Sequence, residues 1–109
     1  LANQSLFQLD TSNLQALENV GLLYFDLNDY PNTRLTWQTF LEYRPNDPGA
    51  LIWISKTYVL ENRPKEAIEA LELIFKDDPK EAAIIFEDPI FDELIQRKDF
   101  EKMRQRYRD

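Results

Sequence analysis

An all-helical chain of stacked helix pairs is predicted by three observations. Leu17-x-x-Val20-Gly21-x-x-Tyr24 returns as Leu51-x-x-Ile54-Ser55-x-x-Tyr58, 34 residues on, and the register holds from Thr33-x-x-x-Trp37 to Ala67-x-x-x-Leu71 and from Pro45 to Pro79. Within each copy the apolar residues recur every three or four positions, which on a helix makes one inward face. Pro, Asn and Asp fall between these runs, where a helix must stop or start. Two antiparallel helices stacked on the next pair bury a core that neither pair could bury alone.

A 34-residue unit with a large apolar residue, a small residue four positions on, an aromatic three after that, then small-x-x-x-bulky and a closing Pro resembles the tetratricopeptide repeat (TPR) family. The resemblance spans residues 14–79. Leu17 and Leu51 stand where the family often has Trp, Ser55 replaces Gly and Thr33 replaces Ala, all changes of similar shape. What it implies is a right-handed helical-hairpin solenoid with a helical C-terminal cap, serving as a non-catalytic scaffold for protein interactions. The implied division is a remnant second helix and loop over residues 1–13, repeats over 14–47 and 48–79, and a degenerate repeat with capping helices over 80–109.

Residues 1–9 carry Leu1, Leu6 and Leu9 in an imperfect helical pattern, where the second helix of an earlier unit would lie. The opening at Leu1, without Met, is expected of a fragment or a processed product. Asp10, Thr11, Ser12 and Asn13 are all competent N-caps, so the next helix is expected near Leu14. Leu14, Leu17, Val20 with Gly21, Tyr24 and Leu27 then form its inward face. Gly21 costs about 1 kcal/mol relative to Ala in mid-helix, which points to close approach of the paired helix. Asn28-Asp29 break the helix and Pro31 suits the first turn of the next, which is expected to pack through Leu35, Trp37, Phe40 and Leu41.

Pro48 opens the second unit, with Leu51, Ile54, Ser55 and Tyr58 inward, and Pro64 starts its partner helix, with a stripe of Ala67, Ile68, Leu71, Ile74 and Phe75. Glu66, Glu69 and Glu72 are its expected wet side. After Pro79 the register breaks. Residues 80–86 begin like a third unit and stop at Glu87-Asp88-Pro89, after which Phe91, Leu94, Phe100, Met103 and Tyr107 form the apolar pattern of a cap.

At 109 residues with 43% apolar content the chain makes one domain. A net charge of −7 opposes a nucleic-acid surface, so the expected partner is a protein or peptide. The charge is uneven, because residues 97–109 hold six basic and three acidic side chains, a basic end that also suits a helix C-terminus. No apolar run approaches the roughly 20 residues that span a bilayer. Without Cys or His there is no thiol nucleophile, no disulfide and no imidazole base, and no cofactor is expected. Asp77-Asp78 and Glu87-Asp88 lack the ligand spacing of a calcium loop, so no metal site is expected either.

In the TPR family the first helix of each unit lines the concave side. Residues there that are not used for pairing are Gln15, Glu18, Asn19, Leu22, Phe25 and Asp26, then Ile52, Trp53, Lys56, Val59 and Leu60. From this set Asn19, Leu22, Phe25, Asp26, Ile52, Trp53, Lys56 and Val59 are the candidate binding residues. They suggest an apolar groove for an amphipathic helix or extended peptide, with Lys56 meeting an acidic group. The other reading is that several of them pack between adjacent repeats. Only Asn19 and Lys56 could serve a clamp for an acidic C-terminus, which argues against that subtype. Two further readings stay open: a terminus that closes a longer array and binds nothing itself, and self-association through the N-terminal face.

Overall fold

A computed structural model describes residues 11–108, and the expectation for residues 1–9 lies outside them. The helices are α1 (Thr11–Asp26), α2 (Tyr30–Tyr43), α3 (Pro48–Leu60) and α4 (Pro64–Asp77), followed by a long 3₁₀ helix (Pro79–Glu87), a 3₁₀ turn (Pro89–Phe91), α5 (Asp92–Ile95) and α6 (Lys98–Gln105). No strand occurs among the described residues. Each of α1 to α4 packs on the next, and the 3₁₀ segments and α6 close the far side of α3 and α4.

The two helix pairs turn in the same way. Asn28 and Asn62, 34 positions apart, both take left-handed backbone, at φ 62° and 61°. The Asn28 N–H donates to Phe25 O (2.9 Å) and the Asp29 N–H to Tyr24 O (2.9 Å); Asn62 donates to Val59 O (3.0 Å) and Arg63 to Tyr58 O (2.8 Å). This pair of bonds is the Schellman closure, and asparagine tolerates the left-handed residue it needs. Asp29, Asp47, Asp78 and Asp88 each accept a backbone N–H at the start of the helix that follows.

The core falls into two clusters. One joins Leu14, Trp37, Phe40, Ala50, Ile54 and Ala70; the other joins Leu51, Ile68, Leu71, Ile74 and Phe75 to the cap residues Phe91, Leu94, Phe100 and Met103. Gly21 meets the buried Trp37, since a Cβ there would lie 2.6 Å from its Nε1. Several sequence expectations are corrected. α1 starts at Thr11, one turn before Leu14. Leu35 is 61% exposed, and Val20 and Leu27 are exposed, because among the described residues α1 packs chiefly on α2 and these side chains point away from that contact. On α2 the buried positions beside Trp37 and Phe40 are instead Thr33 and Thr36, whose hydroxyls donate to Asp29 O and Asn32 O.

Candidate partner-binding face

Phe25 on α1 and Trp53 on α3 meet in front of α2. Their rings stand edge to face with centroids 4.9 Å apart, and Trp53 lies parallel to Trp37 of α2 at 6.3 Å. Tyr30 adds a third ring against Phe25 at 5.7 Å. Leu22, one turn before Phe25, is 38% exposed, and Asn19 and Asp26 on the same helix are exposed as well. The Asn19 side-chain oxygen accepts from Gln15 Nε2 at 3.3 Å. These residues make an aromatic and aliphatic face with polar ends.

The rest of the candidate set is placed differently. Ile52 is only 9% exposed and belongs to the core cluster with Phe91, because the cap packs over that side of α3. Val59 is half-buried against the same cluster and lines a cleft of about 310 Å³ opposite Leu94 and Arg97. Ile52 is therefore a packing residue on the cap side, whereas Val59 borders the cap with one side open to that cleft. The cap residues that meet them lie far along the chain, so the pattern of the helix itself does not register that contact.

Lys56 is already engaged. Its ammonium lies 4.3 Å from the centroid of the Trp53 ring and 2.9 Å from Asp88 Oδ2, at the start of the Pro89–Phe91 turn. Hydrogen bonding from Lys56, and then from the Ile90 N–H, holds the Asp88 carboxyl below the usual aspartate range. An acidic group on a partner must displace Asp88 before it meets Lys56. The sequence offered no sign of this pairing, because Asp before Pro reads simply as a helix cap.

Behind the face, Arg34 of α2 donates to Thr57 Oγ1 (2.9 Å) and Glu61 Oε1 (2.8 Å) while its guanidinium covers the Tyr58 ring at 4.5 Å. This clamp fixes α2 against the C-terminal end of α3, one turn beyond Trp53. Among the described residues no group of three His, Cys, Asp or Glu side chains could hold a metal ion, and no helix is long and apolar enough to cross a membrane. Comparison with protein-family models, with curated proteins and with solved structures gives no match for this chain.

Proposed function

We propose that this chain is a non-catalytic protein-interaction module, a right-handed TPR-like helical-hairpin solenoid that holds a peptide or helix of a partner protein on the face shared by α1 and α3. The observation that carries the reading is the contact of Phe25 and Trp53, which sets two half-exposed rings beside the exposed Leu22. Aromatic side chains of this kind supply large contact area at small entropic cost. The partner segment presents apolar anchors at helical spacing to Leu22, Phe25 and Trp53. A second reading, a structural terminus with no ligand of its own, is favoured by the complete burial of Phe91 and Phe100 in the cap. Self-association draws on a third observation, the exposed stripe of Val20, Leu23 and Leu27 on α1.

Peptides selected from a phage-displayed random library against the folded domain provide the probe. Leu22→Glu is the clean variant, because the side chain is exposed, whereas Trp53 also supports the core through Trp37. Selected peptides should lose about 30-fold in affinity for Leu22→Glu, equivalent to ~2 kcal/mol. Recovery of no binding peptide, or equal affinity for the variant, would favour the structural terminus.

A further inference from the structure

At the opposite end of the molecule, we propose that the groove between the Pro79–Glu87 helix and α6 docks an acidic peptide segment through one large apolar anchor. Its floor is aromatic, formed by Phe75, Phe86 and Tyr107, and its rim is cationic, formed by Lys80, Arg104 and Arg108. With a volume of about 280 Å³ it sits just below the usual range of small-molecule pockets, a size suited to one or two side chains. Phe86 is 40% exposed there.

Charge decides the occupant. Among the described residues Lys80 forms no ion pair, while Arg104 and Arg108 share the single carboxylate of Glu101 at 3.5 and 3.9 Å. Three cations against one carboxylate leave a local surplus in a chain whose net charge is −7. Other clefts do not show it. The cleft beside Val59 is lined by Glu93 as well as Arg97, and the one between α4 and α6 by Glu69, Glu72 and Asp99 as well as Lys65, Lys102 and Arg106.

The helix type sorts these charges. With three residues per turn, Lys80, Ala83 and Phe86 share one edge, Ala82 and Ile85 face the core, and Glu81, Ile84 and Glu87 share the remaining edge. Winding the same residues as an α-helix would bring Glu87 round toward Ala83 and Lys80. As built, the carboxylates flank the groove without entering it. A long polyanion such as single-stranded nucleic acid would run onto Glu81, Glu87 and the Asp77-Asp78 pair, whereas a short acidic peptide stays inside. Arg104 also stacks over the Phe86 ring at 5.0 Å, so a guanidinium and an aromatic face are presented together.

The probe is a fluorescein-labelled peptide of Asp and Glu around one central Phe, read by fluorescence anisotropy against the whole chain. Saturable binding is expected, weakening with added salt and lost when Ser replaces the central Phe. Arg104→Glu with Arg108→Glu should weaken it about tenfold or more, and so should Phe86→Ala, with circular dichroism confirming that each variant stays helical. Leu22→Glu, on the other face, should leave it unchanged, which separates this groove from the face of α1 and α3. Absence of saturable binding, or indifference to both the reversals and Phe86→Ala, would overturn the proposal. So would oligothymidine binding more tightly than the peptide and losing affinity with the same variants, since that assigns the groove to nucleic acid.

Discussion

The two helix pairs carry one sequence pattern and close with the same hydrogen bonds, yet they bury it differently. In the second pair Ile54 is 5% exposed, whereas Val20, its counterpart 34 positions earlier, is 42% exposed. α3 and α4 lie between α2 on one side and the cap on the other, while among the described residues α1 packs chiefly on α2. Their inner seams differ too. Gly21 makes room for the Trp37 ring, whose Nε1 finds no hydrogen-bond acceptor among the described residues, while the buried Ser55 satisfies its own hydroxyl on Leu51 O at 2.8 Å. An apolar position is therefore filled according to its neighbours on both sides, and repeat register alone does not say whether it is core or surface.

The largest effect that sharpens this contrast comes from the cap. Phe100 is fully buried against Phe75, with ring centroids 6.1 Å apart, so Phe100→Ala should cost about 3–5 kcal/mol in urea unfolding. Leu23→Ala, on the exposed side of α1, should stay within about 0.5 kcal/mol. Similar losses for both would mean that the two pairs are equally enclosed.

Next in size is the seam of the first pair. Gly21→Ala places a methyl 2.6 Å from Trp37 Nε1 and 2.8 Å from Cε2 in a ring that is buried and stacked. Overpacking of about 1–3 kcal/mol should outweigh the ~1 kcal/mol gained in helix propensity. In a Trp37→Leu background, which imitates the second pair, the same change should become neutral or favourable. A Gly21→Ala penalty that persists there would show that the ring is not what the glycine accommodates.

A smaller, pH-dependent effect belongs to the second pair and its cap. Asp88 is held low by Lys56, and Glu72 is held low first by the Tyr107 hydroxyl, which donates to it at 2.6 Å, and then by Arg106. A carboxyl whose folded pKa is depressed contributes its full stability above the ordinary values, 3.8 for Asp and 4.5 for Glu, and loses it as pH falls through the folded values. Urea midpoints should thus fall in acid, and Asp88→Asn with Glu72→Gln should flatten that fall. An unchanged slope in the double variant would assign the acid sensitivity to other carboxylates.

Where local chemistry decides, the sequence was legible. Pro48 and Pro64 open helices as expected, and the stripe of Ala67, Ile68, Leu71, Ile74 and Phe75 is buried throughout, as are Phe91, Leu94, Phe100 and Met103. What could not be read depends on distant partners. Thr57 is buried because its hydroxyl donates to Ile54 O and accepts from Arg34, a bond that spans 23 residues and leaves no apolar signature. Ile52 is core only because the cap returns to it, and Lys56 is paired only because Asp88 lies opposite. The 3₁₀ winding of residues 79–87 was equally hidden, since Lys80 to Phe86 reads as the start of an ordinary α-helix. At the candidate site, Phe25 and Trp53 were both legible as candidates, but the approach of the cap to Ile52 and Val59 left no trace near them in the sequence.

The central claim is that the face carrying Leu22, Phe25 and Trp53 receives a partner segment. The two tryptophans report on it separately, because Trp53 is half-exposed on that face and Trp37 is buried behind it. Titrating a selected peptide into the nitrogen-labelled domain and following amide and indole N–H shifts by NMR tests this directly. The account predicts that the Trp53 indole and the amides of Leu22 and Phe25 move most, ahead of the Trp37 indole. Shifts confined to the outer stripe of α1, or to Phe86 and Arg104 at the other end, with the Trp53 indole unmoved, would contradict it.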